Sequence, residues 1–287
     1  MRSIAWLSEK GGTAKTTSAI NSAVGLAKLG HRVLLVDADP QANATMVLLE
    51  GRSAEAPTLA HVLIDQTDAA DAIRPTRTEG LDVLPSDTLL ADANVALASE
   101  LGRERRLKLA LEGLDAGYDF VVLDTSPQRT LINVNVLNYV GEVLCPVDPG
   151  IFSLSGLGTL REAVAEVARH LDNRALQLGG LVLTRTQRDN ITRDVEAQLR
   201  GTFGELVFRT TIPGTTKIGE AHARFLSVLD YAPRSSGATA YKALVSEIIG
   251  HGQVIGIGEC AAGTAEADHA GDPGNAGRGP RRRARAG

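Results

Sequence analysis

The stretch S-E-K-G-G-T-A-K-T-T-S, residues 8–18, decides the fold. It follows an apolar run at 4–7 that predicts a strand, and it leads into apolar residues at helical spacing over 15–29. It nearly matches Gly-x-x-x-x-Gly-Lys-Ser/Thr, a pattern in which a glycine loop and a helix N-terminus cradle phosphates. It departs from that pattern twice, because Ala14 replaces the last glycine and a second lysine, Lys10, stands at the front. Taken alone, a glycine turn that binds nothing is the alternative.

Most residues of this loop would have a chemical role in a phosphate site. Gly11 and Gly12 let the backbone pass close to phosphates. Lys15 would reach the β- and γ-phosphates, and Thr16 would offer its hydroxyl to Mg²⁺. Thr17 is expected at the α-phosphate. The stretch therefore predicts a site for a nucleoside triphosphate and Mg²⁺.

Short apolar runs alternate with helical patterns along the rest of the chain. Further strands are predicted at residues 32–37, 81–84, 120–124, 141–145, 178–183 and 207–212. Helices are predicted around 89–100, 103–115, 153–170, 190–203, 217–223 and 236–250. The strand at 32–37 is apolar throughout, as is typical of a strand covered on both faces. The alternation predicts an α/β fold with a doubly wound, mostly parallel sheet flanked by helices.

Carboxylates stand where two of these strands end. Asp37 and Asp39 lie two apart in V-D-A-D-P-Q-A-N-A-T, residues 36–45, and so point the same way. Asp124 ends the strand in F-V-V-L-D-T-S-P-Q, residues 120–128. Ligands collect at the carboxyl ends of parallel strands, and a strand-end Asp commonly holds Mg²⁺ in phosphate-loop nucleotidases. For the first of these motifs alone, a solvated Asp-Pro turn is the alternative.

The composition excludes several classes of protein. Of the 287 residues, 43% are hydrophobic and 3% aromatic, so the chain can fill a large aliphatic core. A formal net charge of −4 argues against a basic coat, so any DNA contact must come from a local patch. Two cysteines, Cys145 and Cys260, make neither a disulfide framework nor a four-cysteine metal site. Without a long apolar run or a signal peptide, we expect a soluble, cytoplasmic protein.

The C-terminal residues differ in composition from the rest. From Gly258 onward the chain is rich in Gly, Ala, Asp, Glu and Pro, and it ends in R-R-R-A-R-A-G. Such a segment cannot bury enough apolar surface to offset the entropy of ordering it. We therefore expect one domain over residues 1–252 and a disordered Gly/Ala/Arg-rich tail over 253–287.

Together these motifs resemble the ParA-type partition ATPases of the MinD/ParA group, whose P-loop is a deviant Walker A motif. The three quoted segments look like that loop and the two switch regions. The resemblance continues over E-V-L-C-P-V-D-P-G-I-F-S-L-S-G-L (142–157), V-F-R-T-T-I-P-G-T-T-K-I-G-E-A (207–221) and D-Y-A-P-R-S-S-G-A-T-A-Y (230–241), and it spans roughly residues 1–250. It implies an ATPase that binds ATP and Mg²⁺, hydrolyses ATP slowly and forms a homodimer.

The resemblance also assigns the site residues. It implies that Lys10 crosses to the phosphates of the other subunit, in a dimer that sandwiches two ATP molecules, and that Asp39 positions the attacking water. The implied catalytic residues are Lys10, Lys15 and Asp39. The implied Mg²⁺ ligands, partly through water, are Thr16, Asp37 and Asp124. The implied ATP-binding residues are Lys10, Gly11, Gly12, Thr13, Ala14, Lys15, Thr16, Thr17 and Pro213.

The same resemblance implies two macromolecular partners. The dimer would bind double-stranded DNA without reading its sequence, and a ParB-like centromere-binding protein would stimulate hydrolysis. Contacts to DNA phosphates weaken steeply with salt. The candidate DNA contacts are Arg185, Arg188, Arg193, Arg200, Lys217 and Arg224. The expected function is plasmid or chromosome partition by a cytoplasmic, nucleoid-associated protein.

Three residues depart from the family's pattern. Ala14 replaces a more usual glycine, Ser126 stands where proline is common, and Gly214 stands where arginine often follows the Ile-Pro pair. The first departure bears on nucleotide affinity. The last removes a basic side chain from the expected DNA-binding side.

Other relatives differ from this chain in ways the sequence shows. MinD-like relatives dock on membranes through an amphipathic C-terminal helix, and the tail here lacks bulky apolar residues, so we expect no membrane partner. The first strand begins at once, so we expect no N-terminal helix-turn-helix. Two alternatives stay open: an orphan ParA-like ATPase that positions a protein cargo, and a P-loop biosynthetic enzyme acting on a small molecule.

Overall fold

The computed structural model describes residues 1–151, 154–171 and 173–255. Its strands are β1 (Arg2–Trp6), β2 (Val33–Ala38), β3 (Arg74–Pro75), β4 (Leu81–Leu84), β5 (Phe120–Thr125), β6 (Glu142–Val147) and β7 (Gln177–Leu183). They form one sheet in the order β3-β4-β2-β5-β1-β6-β7. Every pairing between these strands is parallel except that of β3 with β4. The predicted doubly wound, mostly parallel sheet is confirmed.

Helices connect the strands and cover both faces of the sheet. In the described residues they are α1 (Lys15–Lys28), α2 (Asn43–Leu48), α3 (Leu59–Ile64), α4 (Ala69–Ala72), α5 (Ala93–Ala96), α6 (Arg106–Leu111), α7 (Leu131–Tyr139), α8 (Leu154–His170), α9 (Asn190–Phe203), α10 (Thr216–His222), α11 (Val228–Tyr231) and α12 (Ser236–Ile255). Short 3₁₀ turns lie at Thr88–Asp92, Arg103–Arg105, Asp115–Gly117, Pro149–Ile151 and Gly204–Leu206.

Successive residues of β1 point into two separate cores. Ile4 and Trp6 lie in the core that α1 and α12 cover, whereas Ala5 lies in the core that α7 and α8 cover. This two-sided burial explains why the strands are apolar throughout. α1 and α12 approach so closely that a Cβ on Gly25 would lie 2.7 Å from the Val245 side chain. The sheet is therefore a rigid base for the loops at its carboxyl edge.

The strand predicted at residues 207–212 is wrong. This segment makes isolated bridges, between Leu181 and Val207 and between Thr186 and Pro213. Between them, the backbone N–H groups of Arg209 and Thr210 donate to the Glu247 carboxylate of α12, at 2.6 and 2.9 Å. Those donors are turned away from β7, so a continuous ladder does not form.

The helices predicted at 89–100 and 103–115 are shorter than expected, and the two-residue strand β3 was not predicted. Gly113, inside the second of these ranges, adopts a positive φ angle of 86°, a backbone conformation that interrupts a helix. In the described residues, no helix combines the length and apolar character needed to cross a bilayer.

α12 runs to Ile255, past the expected domain boundary at 252. Residues 256–287, which hold most of the expected tail, lie outside the described residues.

Candidate nucleotide site

The loops that follow β1, β2, β5 and β7 surround a cleft of about 980 Å³ at the carboxyl edge of the sheet. Seven of the nine predicted ATP-binding residues line it: Gly11, Gly12, Ala14, Lys15, Thr16, Thr17 and Pro213. The other two, Lys10 and Thr13, line a cavity of about 40 Å³ on the far side of the loop, beside Cys145 and Asp148. The structure therefore brings the predicted loop residues and the distant Pro213 together in one place.

The loop has the strained backbone that a phosphate cradle requires. Gly12 has a φ of 77° and Ala14 a φ of 71°, and α1 begins directly afterwards at Lys15. Glycine adopts such angles freely, whereas the Cβ of an alanine costs roughly 1–2 kcal/mol there. Ala14 thus adopts the backbone conformation expected of the glycine that it replaces, and this conformation is strained for alanine. The N-terminus of α1 opens on the cleft, where its backbone N–H groups favour an anion.

Lys15 lies across the loop that carries it. Its ammonium donates to the Lys10 carbonyl at 3.2 Å, and its side chain is largely buried. Burial lowers the pKa of Lys15, while the charges of Asp124 and Asp39 act in the opposite direction. A partly desolvated ammonium between a loop carbonyl and two carboxylates is poised to exchange the carbonyl for a phosphate oxygen.

Two carboxylates meet beneath the cleft. Asp37 of β2 and Asp124 of β5 are register partners in neighbouring strands. One oxygen of Asp37 accepts from the backbone N–H and the hydroxyl of Thr45, at 2.8 and 2.7 Å. Burial raises the pKa of Asp37 to about 6, even though these hydrogen bonds lower it. Burial and the neighbouring Asp37 charge raise the pKa of Asp124 well above its usual value.

This carboxylate pair fits a Mg²⁺ ion. Asp124 Oδ2 is buried and has no hydrogen-bond partner, so this oxygen can accept a contact from a cation. The Thr16 side chain is close enough to lower the pKa of Asp124, which places a hydroxyl beside the two acids. No cluster of three or more His, Cys, Asp or Glu side chains that could hold a metal occurs in the described residues. A site with few protein ligands suits Mg²⁺, which keeps several waters and shares phosphate oxygens.

Asp39 lies at the rim of the cleft on the loop after β2. One of its carboxylate oxygens accepts from the Gln41 N–H at 2.9 Å, and its carbonyl accepts from the Ser86 hydroxyl at 2.8 Å. The side chain is nearly buried and is close enough to influence the pKa of Lys15. Asp39 is thus fixed in position beside the phosphate loop.

Lys10 is exposed at the front of the same loop. Its neighbour Glu9 accepts a hydrogen bond from Arg129 Nε at 2.7 Å, which ties the front of the loop to the segment after β5. Lys10 does not line the large cleft of its own subunit. Lys10 lines the small cavity beside Cys145 and Asp148, whereas Lys15 lines the large cleft.

Comparison with known proteins decides the family. A family model described as an AAA domain matches residues 1–178. The sporulation initiation inhibitor protein Soj of Bacillus subtilis is 36% identical over 250 residues, which are 87% of this chain and 98% of that protein. The chromosome partitioning protein ParA of Caulobacter vibrioides is 36% identical over 252 residues, 87% of this chain and 94% of that protein. The chain belongs to the ParA-type partition ATPases.

Solved structures agree with this membership. A cobyrinic acid a,c-diamide synthase from Mycobacterium smegmatis, solved with ADP and magnesium, has a TM-score of 0.76 at 29% identity and covers 88% of this chain and 95% of that one. The septum site-determining protein MinD of Pyrococcus horikoshii, solved with Mg-ADP, has a TM-score of 0.71 at 27% identity, over 86% and 95% of the two chains. The P-loop fold expected of a ParA-type protein is thereby confirmed.

The predicted DNA contacts of this ParA-type chain have different surroundings. Arg188 and Arg193 are exposed, and Arg193 contacts Asn190. Lys217 is exposed on α10 and pairs with Glu220 at 2.8 Å. Arg224 lies 5.1 Å from the centre of the Tyr231 ring.

Two predicted DNA contacts are engaged elsewhere in the fold. Arg200 pairs with Glu196 and also donates to the Val207 and Phe208 carbonyls, so it supports the segment after α9. Arg185 lines the nucleotide cleft and donates to the Gly12 carbonyl. The six candidate DNA contacts thus differ in their exposure and in their contacts within the protein.

Sequence reasoning missed two residues that shape this ParA-type site. Thr45 fixes Asp37, and its hydroxyl also accepts from the Ser86 N–H at 2.9 Å. It lies in the quoted segment 36–45, so its position near the acids was a usable signal. Thr184 donates to the Thr13 carbonyl at 3.0 Å across 171 residues of sequence, and no local pattern indicates that contact.

Proposed function

We propose that this ParA-type protein is an ATP-dependent dimerising switch that binds DNA non-specifically and drives plasmid or chromosome partition with a ParB-like partner. The observation that carries the proposal is the placement of the two loop lysines. Lys15 is buried and lines the nucleotide cleft, whereas Lys10 is exposed and lines the small cavity outside that cleft. A lysine that lies outside its own nucleotide cleft is placed where a second subunit can approach it.

In this proposal each group in the cleft has a role toward Mg²⁺-ATP. The loop residues 10–17 and Pro213 bind the nucleotide, with the N-terminus of α1 and Lys15 on the phosphates. Thr16, Asp37 and Asp124 hold Mg²⁺, in part through water. When bound, the ion neutralises charge on the β- and γ-phosphates. The buried acids favour a cation because burial disfavours their negative charge without one.

Dimerisation is coupled to ATP through Lys10. A tetra-anionic nucleotide needs more positive charge than Lys15 alone supplies. If Lys10 of each subunit contacts the triphosphate of the other, the dimer is stabilised only while ATP is bound. Nucleotide occupancy then sets the oligomeric state.

Hydrolysis ends the dimeric state. Asp39, held by the Gln41 N–H, orients the attacking water and accepts its proton. Slow turnover is consistent with a switch that must persist before it resets. A basic segment of the ParB-like partner would raise the rate, and an unchanged ATPase rate with basic peptides from a neighbouring ParB-like protein would contradict that part.

The DNA surface is proposed around α9 and α10. Arg188, Arg193, Lys217 and Arg224 are exposed, and side chains of this kind contact phosphates without reading bases. Binding through them requires neither a basic overall charge nor a recognition helix. It would place the ATP-bound dimer on the nucleoid.

Fluorescence anisotropy on non-specific duplex DNA tests this function. The protein is titrated with ADP, with ATP and with a slowly hydrolysed ATP analogue, over a series of salt concentrations. Binding only with triphosphate, and lost as salt rises, is the expected result. Equal binding with ADP and ATP would contradict the switch. No binding in any nucleotide state, with the dimer confirmed, would contradict the DNA partner.

The structural similarity to the cobyrinic acid a,c-diamide synthase favours a second candidate, a P-loop biosynthetic enzyme acting on a small molecule. Such an enzyme needs a substrate pocket beside the nucleotide and no DNA. The similarity to MinD favours a positioning protein that places a cargo. The biosynthetic enzyme would show no DNA binding that depends on the triphosphate. The positioning protein would show either no such binding or such binding without a ParB-like gene nearby.

A further inference from the structure

Two consecutive carbonyls of the phosphate loop are held by two consecutive residues after β7. The Thr184 hydroxyl donates to the Thr13 carbonyl at 3.0 Å, and Arg185 Nη1 donates to the Gly12 carbonyl at 3.2 Å. Both donors come from the end of β7, two places from β1 in the sheet, and both residues also line the nucleotide cleft. The two loop carbonyls are thus fixed by a different part of the fold.

Fixing these carbonyls also fixes the N–H groups of the same peptide units. In a planar trans peptide, the C=O and the N–H point in opposite directions. Because the Gly12 and Thr13 carbonyls point toward Arg185 and Thr184, the N–H groups of Thr13 and Ala14 point to the opposite side of their peptide planes. A phosphate cradle is built from backbone N–H groups held in fixed directions in this way.

Arg185 is itself held in place. Asp148, at the end of β6, lies 3.3 Å from Arg185 Nη1, and its other oxygen accepts from the Gly150 N–H at 2.9 Å. The Arg185 backbone has a φ of 54°, and a Cβ on Gly214 would lie 3.4 Å from the Arg185 carbonyl. The Asp148 side chain is 11% exposed and that of Arg185 61%, so the pair is anchored at the acid and open at the guanidinium.

We propose that Arg185, oriented by Asp148, is a positioning residue of the phosphate loop and serves nucleotide binding and not DNA binding. The single nitrogen Nη1 contacts both the Gly12 carbonyl and the Asp148 carboxylate. The rigid, weakly hydrated guanidinium fixes the position of that nitrogen, whereas a lysine ammonium is strongly hydrated and ends a flexible stem. Its positive charge also lies in the cleft that Lys15 and Thr16 line. The proposal rests on the nucleotide site of the proposed function and is independent of the DNA surface.

The test compares Arg185→Ala and Arg185→Lys with Arg174→Ala, an exposed arginine just before β7, as the matched control. The affinity for a fluorescent ATP analogue is measured first. Arg185→Ala should weaken binding about tenfold, because one charge-assisted hydrogen bond to the loop is lost. Arg185→Lys should recover only a minor part of the loss, and Arg174→Ala should bind like wild type. Full recovery with lysine would show that charge alone suffices and would overturn the positioning role.

Thr184→Val is a second test that leaves the charge of the site unchanged. It removes the hydroxyl that holds the next carbonyl, so ATP affinity should fall here as well. Thermal unfolding without nucleotide reports whether each variant is folded. Wild-type ATP affinity in both Arg185→Ala and Thr184→Val would overturn the proposal.

DNA binding at saturating ATP separates the two roles. The slope of log affinity against log salt should be the same for Arg185→Ala and wild type. A slope smaller in magnitude by about 2 per dimer, with unchanged ATP affinity, would make Arg185 a DNA contact and overturn the proposal. If wild type binds no DNA, the proposed function fails, while the ATP measurement still decides the role of Arg185.

Discussion

Asp37 and Asp124 lie directly opposite each other in neighbouring parallel strands, and both are fully buried. Thr45 satisfies one oxygen of Asp37, whereas Asp124 Oδ2 has no partner. Two buried carboxylates side by side are destabilising, and the charge of Lys15 offsets only part of the cost, because the pKa of Asp124 stays well above its usual value. In the proposed function, binding of Mg²⁺-ATP would offset the rest.

Asp124→Asn should stabilise the nucleotide-free protein by about 1–3 kcal/mol, because it removes a buried charge and supplies an N–H₂ that can donate to Asp37. It should also abolish the increase in Tm that Mg²⁺-ATP produces in wild type. Differential scanning fluorimetry with and without Mg²⁺-ATP measures both effects. Asp92→Asn, at an exposed position, is the control and should change neither. A destabilised Asp124→Asn protein would contradict the account of the acid pair.

Gly12→Ala and Gly11→Ala form a matched pair in the phosphate loop. Gly12 has a φ of 77°, so a Cβ there should cost roughly 1–2 kcal/mol of unfolding free energy. A Cβ on Gly11 would meet no atom within 4 Å and the φ there is not strained, so its substitution should leave the nucleotide-free stability within about 0.5 kcal/mol. Urea denaturation of the two variants measures the difference. Equal unfolding free energies for the two variants would contradict the backbone strain expected for alanine at position 12.

Ala14→Gly should stabilise the loop by up to about 1 kcal/mol. The gain comes from releasing an alanine at φ 71°, and it is reduced by the greater chain entropy of glycine in the unfolded state. Ala14→Val should destabilise, since a β-branched side chain tolerates this region poorly. Unfolding free energies from denaturant titration rank the three proteins. A less stable Ala14→Gly would mean that Ala14 makes a favourable contact which outweighs its strain.

Lys10→Ala should abolish ATP-dependent dimerisation and leave ATP binding by the monomer within about threefold of wild type. The reason is that Lys10 lies outside the cleft of its own subunit. Lys15→Ala should instead lose ATP binding itself. Gel filtration with ATP and equilibrium binding of a fluorescent analogue distinguish the two. An ATP-dependent dimer of Lys10→Ala would refute the role of Lys10 in the partner's site.

Glu220→Gln should increase affinity for non-specific DNA by about two- to fivefold at low salt. Hydrogen bonds from Lys217 and Tyr231 lower the pKa of Glu220 to about 2, so its carboxylate stays ionised and competes with DNA phosphates for Lys217. Anisotropy with the ATP-bound protein measures the gain. Adding Lys217→Gln should remove it. If the double variant keeps the higher DNA affinity, the gain does not come from the release of Lys217, and the explanation is wrong.

Glu247 gives a pH dependence to stability. Burial would raise its pKa, but hydrogen bonds from the Arg209 and Thr210 N–H groups outweigh it, so the pKa is lower in the folded protein than that of a free glutamate. A depressed pKa contributes stability above the unfolded value, and the contribution is lost as pH falls through the folded value. Glu247→Gln should therefore be less stable at pH 7 by about 1 kcal/mol and approach wild type as the pH falls through the folded pKa of Glu247. Glu55→Gln, at an exposed position, should show no such convergence.

Local patterns were sufficient for much of the fold. The buried strands have apolar runs, and Lys15–Lys28 has helical spacing, so each could be located. The segment 207–212 is rich in β-branched and aromatic residues, but Glu247, nearly forty residues later, accepts hydrogen bonds from two of its N–H groups. A contact of that range has no local signal.

The same limit applies to the site. The loop and the strand-end acids stand in short motifs whose chemistry follows from the residue types and their spacing. Thr184 and Arg185 act on Gly12 and Thr13 only because β6 and β7 follow β1 at one side of the sheet. That order is a property of the topology, and residues so placed look like ordinary surface residues in the sequence.

Both outer edges of the sheet are closed to another chain. At one end, β3 has two residues, one of them Pro75, which has no N–H to donate. At the other end, Phe208 and Ile212 donate to carbonyls of β7, and the Phe208 ring occupies the space where any side chain at Gly180 would collide. Backbone donors and acceptors at these edges are thus withheld from strand addition, a common route to aggregation. Neither edge therefore favours aggregation by strand addition, and in the proposed function self-association would use the nucleotide face instead.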